Sequence, residues 1–362
     1  MGWIKLKEVG MKESHIRKLM GLYKEYEELY IEENFKLFND KLKIQLEKAE
    51  KIRVDDILEK YGRHRIRIIN ANAGEYPKIL KELVDYPLFL YVKGKKLCEN
   101  SSFNKRQNER KNIAVVGTRK MTKFGKSSCE KIVRELIEYK ITLISGLAEG
   151  IDTTALTTSV EKSGKTVAVV GTGLDIIYPY ENKYLWEKIC NIGTVISEYP
   201  LGTQPSKWTF PRRNRIIAGL SDGILIGESF KSGGSLITAE LGFSMNKEIF
   251  AIPGFINYPS FEGCNNLIKE NRAKLVTCAE DIAKEFLWDI NIKKTKTGKL
   301  DGNEKLIFDN IIKETSIEEL IKKLNIDCKK NFSVNEVLSI LMSLKIKGLI
   351  METGTAGYMR II

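Results

Sequence analysis

The sequence predicts an α/β fold in which a mainly parallel sheet carries helices on both faces. Between residues 113 and 276, short apolar runs alternate with segments of helical pattern. Buried parallel strands are nearly continuous apolar runs, and a helical crossover connects each strand to the next. Glycine-rich turns directly follow several of these runs, as at Gly117-Thr118. Such turns are typical of the ligand-binding edge of an open α/β sheet.

The apolar runs are predicted as seven strands, and six helices lie between them. The predicted strands are residues 113–116, 141–144, 166–170, 194–196, 224–226, 249–251 and 274–276. The predicted helices are residues 124–138, 151–162, 181–190, 212–220, 234–246 and 264–270. Upstream, residues 76–94 predict a turn, a short helix and a further strand. The strand–helix–strand crossovers are expected to be right-handed.

Composition divides the chain into a main domain with a smaller module on each side. Residues 1–65 are rich in lysine and glutamate, and their apolar side chains recur at helical spacing, which predicts a helical, SAM-like module. Residues 66–288 form the α/β domain, and the lysine- and threonine-rich residues 289–302 form a linker. Residues 303–362 predict three helices at 303–314, 316–324 and 333–347 and two short strands, an order typical of a winged-helix-like domain.

The last of these helices carries no Lys or Arg before Lys345. A helix that reads a DNA groove should carry cations. The tail is therefore at least as well suited to a protein contact, or to a weak DNA contact through its wing, as to groove reading.

The charge of the chain predicts a polyanionic partner. The 362 residues carry a formal net charge of +12, which favours nucleic acid or an anionic membrane surface. A generally lysine-rich proteome would give the same charge. No apolar run is long enough to span a bilayer and no secretory signal is evident, so a cytoplasmic protein without a membrane contact is expected.

Cysteine and histidine usage argues against a metal or redox site. The six cysteines are scattered without a close pair, which predicts neither a zinc site nor a disulfide framework. The two histidines, His15 and His64, lie outside the best-patterned region and are not placed for catalysis there. No cofactor and no metal are predicted.

A cationic cluster at a predicted helix start is the strongest functional signal. The cluster consists of Phe210, Pro211, Arg212, Arg213, Asn214 and Arg215. Cations are disfavoured at the positive end of a helix unless an anion lies nearby. Arginines beside an aromatic ring are suited to holding a phosphate backbone and stacking a base. Lys207 adds a further cation three residues before Phe210, whereas Trp208 could pack in the core or stack on a base.

Three glycine turns follow predicted strands and should converge at one edge of the sheet. They are Gly117-Thr118-Arg119, Ser145–Ala148 and Gly171–Gly173. Backbone N–H groups and helix N-termini at this edge can receive phosphates. Gly233 and Ser235 open another helix, where they could bind an anion or where Ser232 or Ser235 could serve as an ordinary N-cap. None of these turns is a G-x-G-x-x-G dinucleotide motif.

Together these motifs resemble, in order, those of the DNA-processing A family (DprA, also called Smf), over residues 70 to 285. The matching segments are Tyr76-Pro77, Val116–Arg119, Ser145–Asp152, Gly171–Asp175, Tyr178-Pro179, Ser197-Glu198, Phe210–Ser221, Ser232–Ala239 and Pro253-Gly254. The chain departs from the family pattern at Glu149, at Leu156 and at Asn271-Arg272.

The resemblance implies an extended Rossmann-like domain that binds single-stranded DNA without sequence preference. It further implies loading of the RecA recombinase in recombination and natural transformation (competence), no catalytic turnover, a homodimer, and a single-strand-binding protein as a further partner. The implied DNA-binding residues are Gly117, Thr118, Arg119, Lys207, Phe210, Arg212, Arg213, Asn214, Arg215, Gly233 and Ser235. The arginines and Lys207 are assigned to phosphates, Phe210 to base stacking, and the glycines and hydroxyls to hydrogen-bond donation.

Two alternatives remain at this stage. A nucleoside-monophosphate glycosidic hydrolase would use a glycine-rich helix start with a nearby glutamate, to which Ser232–Glu240 has a distant likeness. A basic scaffold protein would recruit partners through its tail. The DNA-binding hypothesis predicts that Arg119→Ala or Arg213→Ala weakens binding of all sequences and flattens its salt dependence. It also predicts that Phe210→Ala costs roughly 1–3 kcal/mol of binding free energy through lost stacking.

Overall fold

The computed structural model of the chain describes residues 1–97, 103–104, 111–288, 300–311, 314–327, 332–347, 349–353 and 357–360. These residues form two compact units, Met1–Ile290 and Asn291–Ile362. Most of the predicted linker at residues 289–302 lies outside the described residues.

The N-terminal segment is helical, as its pattern predicts. Its helices are α1 (Ile4–Glu8), α2 (Glu13–Leu22), α3 (Glu32–Lys36), α4 (Asp40–Glu50) and α5 (Val54–Arg63). Their apolar side chains, including Trp3 and Leu46, belong to the same core as Ile113 and Val115 of the sheet. The predicted boundary near residue 65 therefore does not separate two compact units, because the helices complete the core of the α/β domain.

The central sheet has nine strands in the described part of the chain. They are β1 (Ile66–Asn70), β2 (Phe89–Gly94), β3 (Asn112–Val116), β4 (Thr142–Ser145), β5 (Lys165–Val170), β6 (Thr194–Ser197), β7 (Gly223–Ile226), β8 (Glu248–Ala251) and β9 (Lys274–Leu275). Their order is β1-β2-β6-β5-β4-β3-β7-β8-β9. β1 pairs antiparallel with β2 and β2 pairs antiparallel with β6, whereas all other pairs are parallel. The predicted strands from β3 to β9 are confirmed.

Helices cover both faces of this sheet. They are α6 (Lys123–Glu138), α7 (Ile151–Glu161), α8 (Lys183–Ile192), α9 (Thr209–Leu220), α10 (Gly234–Ser244), α11 (Glu262–Lys269) and α12 (Ala279–Glu285). Successive residues of a strand point to opposite faces, so Ile113 and Val115 enter the core beneath α6 and α7. Ala114 and Val116 enter the core beneath α9 and α10. The predicted α/β architecture with two helical layers is confirmed.

Helix α9 begins at Thr209, three residues earlier than its predicted start at residue 212. Pro211 lies in the first turn of the helix, where backbone N–H groups have no acceptor within the helix. A proline, which lacks this N–H, therefore costs no helical hydrogen bond there. The cationic cluster therefore occupies the first and second turns of α9, and its side chains point in different directions around the helix.

The second unit contains three helices and a small antiparallel sheet. Its elements are α13 (Gly302–Asn310), β10 (Thr315–Ser316), α14 (Ile317–Asp327), α15 (Val334–Ile346), β11 (Ile350–Glu352) and β12 (Gly357–Arg360), with the strand order β10-β12-β11. Ile307, Leu320 and Leu341 join the three helices in a separate apolar core. The assignment of this unit as a winged-helix-like domain stays a prediction.

Three chemical properties of the described residues complete the description. None of their helices is long and apolar enough to cross a membrane. Their His, Cys, Asp and Glu side chains form no group of three or more that could hold a metal ion. The cysteines among them, Cys129, Cys190, Cys264 and Cys278, are free thiols.

Candidate nucleic-acid interface

A groove opens at the carboxyl ends of β3 and β7. The strand order reverses here, because β4 to β6 lie on one side of β3 while β7 and β8 lie on the other. Such a topological switch point is where open α/β sheets bind ligands. The groove has a volume of about 660 Å³ and is lined by the turn after β3, the first turns of α9 and the start of α10.

Nine of the eleven residues predicted to contact DNA line this groove. They are Gly117, Thr118, Arg119, Lys207, Phe210, Arg213, Asn214, Gly233 and Ser235. Arg212 and Arg215 do not line it, because they project from other sides of α9. Trp208, for which packing and stacking were both open, is 75% exposed and lies beneath Lys207, whose ammonium is 5.2 Å from its ring centroid. The structure thus excludes core packing for Trp208.

Arg119 and Phe210 meet in the groove, although they belong to different elements. The Arg119 guanidinium lies 5.6 Å from the centroid of the Phe210 ring, within the range of a cation–π contact. The Phe210 ring also contacts Tyr178, with centroids 5.4 Å apart. A Cβ on Gly171 would lie 3.1 Å from the ring of Phe210. The third glycine turn therefore makes room for the aromatic side chain.

Asp152 joins the first two glycine turns beneath the groove. Its carboxylate accepts hydrogen bonds from Gly117 N–H at 3.3 Å and from Gly146 N–H at 3.0 Å. Arg213, only 5% exposed, donates to the carbonyl oxygen of Gly146 at 2.5 Å and to that of Val169. The site of Gly146 admits no side chain, because a Cβ would collide with the Arg213 guanidinium. Asp152 and Arg213 thus connect β3, β4, β5 and α9.

Burial changes the pKa of both of these charged side chains. It raises the pKa of the Asp152 carboxyl, while Arg213 and the backbone N–H groups oppose that shift. Burial lowers the pKa of Arg213 to about 10, and the Asp152 charge opposes this change. Arg213 therefore remains a cation at neutral pH. Its charge is held inside the protein by carbonyls and a carboxylate.

Arg215 makes a buried ion pair on another side of α9. Its Nη2 lies 2.5 Å from Glu198 Oε2, and its Nε lies 3.0 Å from Asp85. Arg212 approaches the same Glu198 at 3.4 Å and is more exposed. Burial raises the pKa of Glu198, and the two arginines oppose the shift. The contacts give Arg215 a role in fixing α9 to the end of β6.

Several predicted backbone donors are used within the protein. Thr118 N–H donates to the Glu228 carbonyl at 2.8 Å, and Gly233 N–H donates to the Phe230 carbonyl at 2.9 Å. Ser235 Oγ donates to Ser229 Oγ at 2.9 Å. Gly233 is the N-cap residue of α10 and no side chain caps the helix, so neither serine is an N-cap. These groups shape the wall of the groove around its exposed cations.

The groove also contains residues that the sequence analysis did not select. Lys120 and Phe230 both line it. Lys120 could have been found as the second of two adjacent cations after a strand, whereas nothing local in the sequence marks Phe230. Glu240, the carboxylate of the hydrolase hypothesis, lies outside the groove and pairs with Arg272. Glu240 is therefore not placed to act on a ligand in this groove.

The exposed cations of the groove are Arg119, Lys120 and Lys207. None of them forms an ion pair with a residue that the structure describes. Glu198 and Arg215 form an ion pair within the fold, and the buried charges of Asp152 and Arg213 oppose each other beneath the groove. A groove with an apolar ring, a polar floor and unpaired cations is suited to an anionic ligand with flat apolar groups.

Comparisons with known proteins agree with this description. The profile of the family described as DNA recombination-mediator protein A matches residues 67–287. A DNA processing protein DprA of Streptococcus pneumoniae is 44% identical over 211 residues, which make up 58% of this chain and 71% of that protein.

Two solved structures extend the similarity to the fold. The DprA structure from Streptococcus pneumoniae superposes with a TM-score of 0.66 at 35% identity, covering 79% of this chain and 98% of the other. The DNA processing protein A of Helicobacter pylori, whose structure concerns its single-stranded DNA binding mode, gives a TM-score of 0.53 at 27% identity. This superposition covers 62% of this chain and 96% of the Helicobacter pylori chain. The chain therefore belongs to the DNA recombination-mediator protein A family.

Proposed function

We propose that this protein binds single-stranded DNA without sequence preference and acts as a recombination mediator. The contact between Arg119 and Phe210 in an accessible groove carries the proposal. It places a cation that can bind a phosphate beside an aromatic ring that can stack on a base. The relative from Helicobacter pylori, which shares the fold, binds single-stranded DNA.

Within the groove, the exposed cations and the aromatic side chain are suited to different parts of a DNA strand. Arg119, Lys120 and Lys207 would contact phosphates, since these cations are exposed and unpaired among the described residues. Phe210 would stack on a base, because a π-face accepts any base without reading its sequence. Asn214 adds a polar side chain that can donate to a phosphate or a base edge. Arg213 supports this surface from below.

The groove requires no chemical step to perform this role. Its carboxylate, Asp152, is buried and occupied by two backbone N–H groups and by the charge of Arg213. Such a carboxylate is committed to the fold and is poorly placed to act on a ligand. We propose a binding protein without catalytic turnover.

Loading of the RecA recombinase and assembly as a homodimer are the finer parts of the proposal, and family membership supports them. A test would measure RecA filament formation on single-stranded DNA already coated by a single-strand-binding protein, with and without this chain. Accelerated filament formation is expected. Size-exclusion chromatography with light scattering would measure the oligomeric state.

The central test is an anisotropy titration of the full chain against single-stranded and duplex oligonucleotides over a salt series. We expect a preference for single strands, and an affinity that falls with salt by a logarithmic slope of about −0.7 per phosphate contacted. Equal affinity for both forms, or binding insensitive to salt, would contradict the proposed phosphate contacts.

A further inference from the structure

A second group of exposed aromatic side chains lies outside the groove. Phe124, Phe255 and Tyr258, here called the aromatic platform, contact one another, with ring centroids 5.3 Å apart for Phe124–Phe255 and 5.5 Å apart for Phe255–Tyr258. Phe255 is 58% exposed and the neighbouring Ile256 is 93% exposed. Contiguous exposed apolar side chains, unlike single ones scattered over a surface, are candidates for a site of interaction.

The platform is fixed in place by the structure beneath it. The ring of Phe124 packs on Phe261, which is fully buried, with centroids 5.5 Å apart. The start of the loop is held by Asn265, whose side chain exchanges two hydrogen bonds with the backbone of Gly254 at 3.1 and 3.2 Å. Backbone N–H groups of Tyr258 and Phe261 close two further turns. The exposed rings are therefore ordered before any ligand arrives.

Both segments that carry the platform are joined to the wall of the groove. On one side, Lys120 lines the groove and Phe124 follows in the first turn of α6. On the other side, Phe230 lines the groove and the adjacent Ser229 carbonyl accepts a hydrogen bond from Gly263 at 2.8 Å. Gly263 directly follows the loop of Phe255 and Tyr258 at the start of α11. The platform is thus the next surface beyond this end of the groove.

The charge around the platform is suited to a polyanion. Lys120 and Lys123 are exposed and form no ion pair with a described residue. The nearby carboxylates are occupied, because Glu262 pairs with Lys231 at 3.5 Å and buried Glu228 accepts hydrogen bonds from Thr122. Exposed rings interleaved with unpaired lysines are the pattern of a surface that binds single-stranded nucleic acid.

We propose that the aromatic platform is a second stacking site for the same DNA strand, on which bases stack after the strand leaves the groove. Lys120 and Lys123 contact the phosphates between the two sites. This inference rests on the proposed function and extends its footprint: short oligonucleotides fill the groove alone, whereas longer ones also reach the platform.

The test compares short and long oligothymidylates, roughly 4 and 16 nucleotides in length, on the full chain. The double variant Phe255→Ala/Tyr258→Ala should weaken binding of the long strand by about tenfold or more, because each stacked base is lost. Binding of the short strand should stay within about twofold of the wild type, as for a remote surface substitution. The salt slope should not change, since no cation is removed.

Two matched controls separate stacking from other effects. Tyr258→Phe keeps the ring, and Leu22→Ala removes an exposed apolar side chain from α2. Both variants should bind both strands like the wild type. A third variant, Lys123→Gln, leaves the rings intact. It should flatten the salt slope for the long strand by about 0.7, but not for the short strand.

The outcomes distinguish this inference from the proposed function. If the double variant binds the long strand with wild-type affinity, the platform proposal is wrong and the proposed function still stands. The same holds if the double variant loses self-association but keeps its affinity for DNA. Absence of single-strand binding by the wild-type chain would overturn the proposed function first. Photocrosslinking with iodouracil-substituted strands gives an independent check, since crosslinks to Phe255 or Tyr258 are expected only with the long strand.

Discussion

At the residue scale, the neighbouring side chains of α9 perform different tasks. Phe210 faces the groove, where it meets Arg119 at 5.6 Å. Arg213 turns inward to the carbonyls beneath the groove, and Arg215 turns to Glu198 on another side of the helix. Adjacent positions on a helix lie about 100° apart, so residues next to each other in the sequence need not share a surface.

Arg119→Ala tests the phosphate contact directly. We expect weaker binding of every single-stranded sequence and a salt slope flatter by about 0.7, because one phosphate contact is lost. Arg212→Ala is the matched control, since Arg212 is an exposed arginine that does not line the groove. An anisotropy salt series on both variants is the measurement. Equal losses in the two variants would contradict the assignment of Arg119.

Arg213→Ala is expected to act on stability. The substitution removes the donor to the buried carbonyls of Gly146 and Val169 and the charge that opposes buried Asp152. Leaving a buried charge without compensation costs about 3–5 kcal/mol of unfolding free energy. Urea unfolding of the full chain measures this cost. DNA binding by the folded variant should keep the salt slope of the wild type. The sequence alone predicts a flatter slope for this variant. An unchanged unfolding midpoint together with a flatter salt slope would show that Arg213 contacts phosphate instead.

The buried ion pairs explain why the candidate site was only partly predictable. Glycine turns, cations and Phe210 are visible locally, and nine of the eleven selected residues line the groove. The carboxylates that oppose the charges of Arg213 and Arg215 lie in other elements, at Asp152 and Glu198. A sequence pattern shows that arginines are present. It does not show which of them are buried next to a carboxylate that is distant in the sequence and are therefore not exposed to a ligand.

At the element scale, one tyrosine joins the N-terminal helices to the loop that leads into α9. Tyr61 Oη donates to Glu8 at 2.5 Å and accepts a hydrogen bond from Leu201 N–H at 3.1 Å. Its ring stacks on Tyr91 of β2, with centroids 5.0 Å apart. The loop that begins at Leu201 contains Lys207 and leads to Phe210 in the first turn of α9, so α5 supports one wall of the groove.

Tyr61→Phe removes these hydrogen bonds and keeps the ring stacking. We expect a loss of about 1–3 kcal/mol in unfolding free energy, because the Leu201 N–H loses its acceptor and the Glu8 carboxylate loses its shortest hydrogen bond. Urea unfolding would measure the loss. Tyr184→Phe is the control, because Tyr184 is exposed and its substitution should change stability by less than about 0.5 kcal/mol. Equal stabilities of the two variants would contradict the role of Tyr61.

The elements themselves were largely predictable, because a period of two or 3.6 residues in the apolar pattern reflects burial directly. The predicted strands from β3 to β9 and the helices between them are present. Strand β1 escaped prediction because Arg67 interrupts its apolar residues and exposes one side of the strand. Helix α9 begins before its predicted start, because a proline is compatible with the first turn of a helix and does not mark the residue before it.

At the scale of the whole molecule, the two compact units have separate cores and should respond separately to acid. In the second unit, hydrogen bonds from Lys347, Ser343 and the backbone of Asp301 lower the pKa of Glu304 to about 2. A group whose pKa is lower in the folded state stabilises that state when it is ionised. The stabilisation is complete at pH values above the pKa of the unfolded chain, which is 4.5 for this glutamate. This contribution is lost as the pH falls from that value towards 2.

Glu304→Gln should therefore destabilise the second unit at neutral pH and remove this part of its acid sensitivity. The measurement is an acid titration of the full chain by NMR, following the methyl signals of Leu341 and Leu344 in the core of the second unit. The methyl signals of Ile113 in the first unit serve as the internal reference. Identical titrations of wild type and variant below pH 4.5 would contradict the pairing.

The strand order has a consequence for synthesis on the ribosome. Strand β2 pairs with β6, so Tyr91 lies opposite Ser197, and the strands between them in sequence insert elsewhere in the sheet. Such non-local pairing slows folding, because a long loop must close before the contacts form. The N-terminal helices leave the ribosome first, yet the sheet that completes their core is translated later. A nascent chain that stalls before β6 would present the open edge of β2 and a half-covered apolar core to the chaperones.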